Sequence, residues 1–208
     1  FNQPVAAEAN YQMFWAALRL LLPENSDAVI RLDQIRNEFA ETMSEKMEAM
    51  WAKKLGLKNY DSSLVNELLK LMILSKVDYT IFFRKLSHIP DHLSELKESF
   101  YHTSSEQIDA QWDSWLQRWR ARITSYGDPK EISATMKGVN PKYTWREWLI
   151  APAYKKAEQG DYSLIKDLQT LFNNPYEEQS SEVERKYERL KPEQFFNAGG
   201  VSHYSCSS

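Results

Sequence analysis

Cys206 carries the most reactive side chain in the sequence, a lone thiol in the terminal run Ser205-Cys206-Ser207-Ser208. A thiol acts as a nucleophile or redox group only as the thiolate, which takes exposure and nearby positive charge. Residues 204–208 supply no such charge, so Cys206 reads either as a redox candidate or as an inert terminal thiol. With a single cysteine, no disulfide can close within these residues and no cysteine-rich metal knuckle can form. His88 and His92 have the separation of two zinc ligands on a helix. Pro90 stands between them and breaks the helix that would aim both rings together, and no third ligand accompanies them. His102 and His203 are isolated, so the sequence nominates no metal ligand and no catalytic base.

Arginine and aromatic residues offer a second kind of chemistry. Trp112, Trp115 and Trp119 lie among Arg118, Arg120 and Arg122, a mixture that can stack on bases and hold phosphates. Their spacing favours a different use. The tryptophans share one helical face with Leu116 and Ile123, and Glu106, Asp109 and Asp113 dilute the positive field, so the segment reads as core plus solvated charge. Arg84 and Arg146 each follow an aromatic-rich approach and are expected to close a helix terminus or pair with a carboxylate such as Asp78 or Asp161. Phosphate-handling motifs are missing: the sequence contains no GxxxxGK[ST], no GxGxxG, no metal-binding Asp-Phe-Gly and no serine nucleophile elbow.

The elements that must position these residues are helical throughout. Pro4 suits a first turn, and Tyr11, Phe14, Trp15, Leu18 and Leu22 repeat at three and four residues up to Pro23. A second helix, capped by Asn25 or Ser26, runs to Gly56 with Met43, Met47 and Met50 in its core stripe and room to bend midway. The third, from Asp61, is apolar nearly all round between Leu64 and Leu74 and is expected to be the most buried element. Asp78 caps a short helix that Pro90 stops, Ser104 or Ser105 opens the tryptophan helix that Gly127 ends, and Asp128-Pro129 starts another. Residues 138–176 then form a helical hairpin. Trp145, Trp148 and Leu149 fall at helical spacing, Pro152 should kink or divide the first helix, Gly160 takes a left-handed corner, and Asp161 caps the segment from Leu164 to Phe172. Beyond Pro175 the text turns polar, with a helix around residues 181–190 and aromatic residues Phe195, Phe196 and Tyr204 available to pin it to the body. No strand-like alternation occurs, so the expected class is all-α, an irregular multi-helix bundle with a body over residues 1–175 and an extension over 176–208.

The chain has 208 residues, 42% of them hydrophobic and 13% aromatic, enough for a substantial core. A formal charge of -3 gives no general attraction to nucleic acid or anionic lipid, and no apolar run reaches a membrane span. Phe1 is neither an initiator methionine nor the start of a signal peptide, so a soluble, trimmed chain is expected, with no nucleic-acid and no membrane partner.

Several motifs together resemble the selenoprotein O family. Asn2-Gln3-Pro4, Asp78-Tyr79-Thr80 followed by Phe83-Arg84, the 138–176 stretch with Asn140-Pro141, Arg146, Gly160-Asp161 and Asn174-Pro175-Tyr176, and the terminal Cys206-Ser207-Ser208 all match it, from one end of the chain to the other. The resemblance implies the C-terminal helical part of a protein-kinase-like fold. The parent would be a protein adenylyltransferase that uses ATP and Mg2+ to attach AMP to Ser, Thr or Tyr hydroxyls of protein substrates. Its Lys, Glu, Asn and Asp machinery would lie upstream of Phe1, so no catalytic or nucleotide-binding residue is carried over, and the upstream catalytic part would be this stretch's partner. It also implies a redox role for Cys206, with a disulfide to an upstream cysteine, and a cytoplasmic location if bacterial or a mitochondrial one if eukaryotic. The rival reading is a helical interaction module with no enzymatic link, whose aromatic and methionine faces receive a partner helix.

Overall fold

A computed structural model of the chain describes residues 3–24 and 26–196. Cys206, His203, Tyr204, Asn2 and the Asn25 cap lie outside the described residues. Among those described, the architecture is all-α, with one isolated antiparallel bridge between Val77 and Phe100. The chain forms two compact units, one up to Trp51 and one from Ala52 on.

The first unit is a helical hairpin. Helix α1 (Gln3–Arg19) ends four residues before Pro23, and Leu20 and Leu21 lie beyond it. Helix α2 (Asp27–Lys54) is continuous over 28 residues with no break midway, and Ser26 accepts from the Val29 amide at its start. Tyr11 stacks on Phe39 at 4.5 Å, and Trp15 and Arg19 donate to Asp33 at 2.9 and 2.7 Å. Met43, Met47 and Met50 are half-buried rather than core, because a two-helix unit has no third layer to cover them.

The second unit is built on α5 (Glu106–Thr124), capped by Ser105. Trp112, Trp115 and Trp119 are completely buried, and each indole N–H finds an acceptor: Ser75 Oγ at 2.8 Å, the Leu64 carbonyl at 2.9 Å and the Leu55 carbonyl at 2.8 Å. Large aromatic surface is thereby removed from water without stranding a donor. The three arginines of this helix pair with the chain's own carboxylates, Arg118 with Glu67, Arg120 with Asp91 and Arg122 with Asp61. Arg120 also donates to the Ile89 and Pro90 carbonyls, both at 2.6 Å, where Pro90 interrupts the helical run as expected.

Helix α3 (Ser62–Leu74) packs on α5 but is not the most buried element. Ile73 and Leu74 are exposed at its end, whereas α4 (Tyr79–Leu86) buries five of its eight residues. Composition alone ranks α3 first; position decides otherwise, since α4 is wedged against the 3-10 turn at Leu93–Ser99 and reaches the Trp112 ring through Phe82. Helix α6 (Pro129–Lys137) starts at the Asp128 cap and ends at Gly138.

The hairpin of α7 (Glu147–Glu158) and α8 (Ser163–Asn173) departs from expectation at Trp145 and at the Asp161 cap, and excludes one of the two outcomes expected at Pro152. Trp145 is outside the helix, exposed, and stacked on Phe172 at 4.6 Å. Pro152 does not divide α7, which runs through it as one helix. Only one ladder bond is lost to a proline in the second turn, and Ala153 beside it is buried against Leu168 and Leu171. Gly160 adopts φ +82, the left-handed corner expected of it, whereas Asp161 is not the cap: α8 has Tyr162 at that position with no side-chain cap bond, and Asp161, one residue earlier, accepts from the Ser163 amide at 2.9 Å. Helix α9 (Ser181–Tyr187) returns Tyr187 to the Tyr143–Leu168 cluster, and Phe195 and Phe196 reach Trp148 and Tyr101.

Candidate functional site: a buried charge clasp

Asp78 is the N-cap of α4, accepting from the Ile81 amide at 3.1 Å. The same carboxylate takes both arms of Arg146, at 2.6 and 2.9 Å, and the Tyr101 hydroxyl at 3.1 Å. One side chain thus ties the start of α4 to the start of α7 and to the segment after the 3-10 turn. The bidentate guanidinium fork fixes orientation as well as distance.

Arg84, one helical turn and a half further along α4, is almost wholly buried. It donates to the Lys137 and Asn140 carbonyls, both at 3.2 Å, and to Glu178 at 2.5 Å. Glu178 also receives Lys142, whose ammonium contacts Glu184 at 2.6 Å and Glu188 at 3.1 Å. Burial alone would raise Glu178, but hydrogen bonds from Lys142 and Arg84 hold it down at about 2. Glu188 sits deeper, and there burial wins and pushes its carboxyl up in spite of Lys142. Lys142 in turn is lifted above its usual range: burial opposes this, and its Glu178 and Glu184 hydrogen bonds outweigh burial.

Next to this sits a polar knot around Lys54 and Asn140. Lys54 donates to Asn140 Oδ1 at 2.8 Å, and the Asn140 amide donates to the Lys54 carbonyl at 2.8 Å and to Ser87 Oγ at 3.0 Å. The Lys54 ammonium lies over the Phe83 ring at 4.6 Å and the Tyr79 ring at 5.1 Å. Burial pulls its pKa down to about 8. Thr80 meets Thr144 at 3.2 Å, and the Lys142 and Tyr143 amides donate to the Pro175 carbonyl at 2.8 and 3.2 Å.

Of the internal motif residues singled out by the sequence, Asp78, Thr80, Arg84, Asn140, Arg146 and Pro175 make the contacts just described, whereas Gly160 and Asp161 lie at the α7–α8 corner. Arg84 and Arg146 both do what was expected of them, although the carboxylate found by Arg84 is Glu178, and Asp161 pairs instead with Lys156. The sequence reading missed Lys54, Ser87, Tyr101, Lys142, Glu178 and Glu188. None had a local signal for the clasp, because the partners they meet there are 23 to 94 positions away in sequence. A cavity of about 620 Å³ opens alongside, lined by Lys85, Tyr101, Glu188, Lys191 and Phe196 among others.

This arrangement holds helices together. The carboxylates of the clasp face cations of the same chain, and among the described residues no group of three His, Cys, Asp or Glu is placed to hold a metal ion. It does not fit ATP with Mg2+, which needs free carboxylates and a phosphate cradle.

Fold and clasp define, among the described residues, a helical module closed by ion pairs that bury Asp78, Arg84 and Lys142 and most of Arg146. Over residues 1–173 the chain matches the family model described as protein adenylyltransferase SelO, and it belongs to that family. Among its relatives are bacterial proteins named protein nucleotidyltransferase YdiU. The one from Tolumonas auensis is 34% identical over 216 residues, covering 100% of this chain and 40% of the relative. The one from Xanthomonas axonopodis pv. citri is 33% identical over 215 residues with the same coverage, and that from Thioalkalivibrio sulfidiphilus is 37% identical over 189, covering 86% of this chain and 36% of the relative. The chain thus spans about 40% of the length of the first two. No helix among the described residues is long and apolar enough to cross a membrane.

Proposed function

We propose that this chain is the helical C-terminal portion of a kinase-like protein adenylyltransferase, non-catalytic by itself, which supports the catalytic part preceding it in a bacterial cytoplasm. The whole protein would move AMP from ATP to Ser, Thr or Tyr hydroxyls of proteins. In that transfer the hydroxyl oxygen would bond to the α-phosphorus and give up its proton to a base of the catalytic part, the bond from the α-phosphorus to the bridging oxygen would break, and pyrophosphate would leave, its charge balanced by Mg2+. No step is assigned to a residue of this chain. The observation that carries the reading is the closure of the clasp: Asp78, Glu178 and Glu184 pair with Arg146, Arg84 and Lys142, leaving scaffold rather than reacting groups, in a stretch that spans 40% of its nucleotidyltransferase relatives. Incubating the full-length protein and the 208-residue chain separately with labelled ATP and Mg2+ tests it. Label should enter protein only with the full-length form; labelling by the 208-residue chain alone overturns the reading.

A further inference from the structure

Helix α1 carries only two charged residues, Glu8 and Arg19, and both face α2. Arg19 pairs with Asp33 at 2.7 Å, and Glu8 is half-buried beside Phe39 and Met43. At 3.6 residues per turn the opposite side presents Val5, Ala6, Ala9, Met13, Ala16 and Ala17, all exposed, with the uncharged Asn10 and Gln12 at its edges, and Leu20 continues it past the helix end. Met13 is 74% exposed and Leu20 87%. The outward side of α2 is built differently, with Glu38, Glu41, Glu45 and Glu48 in water. A soluble helix turns a charged face to solvent and keeps an uncharged one for burial, so α2 shows a finished surface and α1 an unfinished one.

We infer that the outward face of α1 is the seat on which the catalytic part of the same polypeptide packs. The inference rests on the reading proposed above, in which that part precedes α1 in sequence. Elements adjacent in sequence tend to be adjacent in space, and α1 is the first element after it. The amount of chain suits the task, since more than half of the Tolumonas auensis relative lies outside the matched stretch. The face offers no cation to an acidic partner and no anion to a basic one, so its occupant is apolar and held by shape and burial.

Thiol accessibility in the full-length protein tests this without relying on activity. Met13→Cys and Ala17→Cys place probes on the outward face of α1, and Glu41→Cys places a reference on the charged side of α2. Maleimide labelling is followed by peptide mass spectrometry at low protein concentration. The Met13→Cys and Ala17→Cys thiols are expected to react at least about tenfold more slowly than the Glu41→Cys thiol in the native protein, and equally fast in urea. Equal native rates overturn the inference. So does protection that disappears on dilution together with a halving of the native mass, which would show a second copy as the occupant. Two positions are used so that one poorly folding variant does not decide the matter. A seated face without AMP transfer would sink the functional reading and leave the seat; AMP transfer with freely reactive thiols would do the reverse.

Discussion

Asp78 serves three elements with one carboxylate, and its pairing with Arg146 is the contact on which the clasp most depends. Both side chains are nearly buried, 8% and 12% exposed, so neither charge has water to fall back on. Removing Arg146 leaves Asp78 its cap bond to Ile81 and the Tyr101 hydroxyl; removing Asp78 takes away the cap and leaves a guanidinium stranded. Loss of a cap costs about 1 kcal/mol, and breaking one side of a buried pair costs about 3–5 kcal/mol. Asp78→Ala should therefore destabilise more than Arg146→Ala. The double variant should cost less than the two singles together, with a coupling on the order of 2 kcal/mol. Urea unfolding of the four proteins measures it; strict additivity would mean that the pair contributes nothing beyond its separate parts.

Between elements, the corners decide how the helices meet, and two glycines with similar backbone geometry should respond differently to the same change. Gly56 lies at φ +63 where α2 ends, and a Cβ there would stand 2.7 Å from Ile132 Cγ2 and 2.8 Å from Met136 Sδ on α6. Gly160 lies at φ +82 between α7 and α8 with nothing within 4 Å. Gly160→Ala should cost only the left-handed backbone penalty, about 1–2 kcal/mol. Gly56→Ala carries that penalty and overpacking of about 1–3 kcal/mol besides. Thermal melts of the two variants should be separated accordingly, and equal losses would show that α6 gives way at no cost. The contrast also marks what the sequence could tell. Gly160 was legible because Gly-Asp after a helical run is a local signal, as were the Asp78, Ser105 and Asp128 caps and the tryptophan face of α5. The crowding of Gly56 was not, since Ile132 and Met136 are remote in sequence, and neither was the ranking of α4 above α3, which depends on what packs around each helix rather than on how apolar it is. The clasp was half legible for the same reason: Arg84 and Arg146 could be expected to find carboxylates, but only the fold brings Glu178 and Lys142 to Arg84.

At the scale of the molecule, the shifted charges write a pH profile. Glu178 titrates at about 2 in the fold against 4.5 when unconstrained, so as pH falls through that interval the unfolded chain takes up the proton first and stability is lost. Lys54 acts at the other end. Unfolded, it keeps its proton to about 10.5; folded, burial beside Tyr79 and Phe83 makes it release the proton at about 8. Between those values the unfolded chain binds more protons, so raising pH favours the fold. Tyr79 and Tyr143, both pushed up to about 12 by burial, reverse the slope only above their ordinary value of 10, and so does Lys142 above 10.5. From about pH 8 to about 10, then, the stability of the chain should rise, and Lys54→Met should flatten that rise. The readout is the slope and not the level, because the methionine also leaves Asn140 Oδ1 without its donor and lowers stability at every pH. Urea midpoints across that interval check it. A rise that persists undiminished in Lys54→Met would place the proton elsewhere, and a flat profile in the unaltered chain would mean that Lys54 stays charged over its aromatic neighbours.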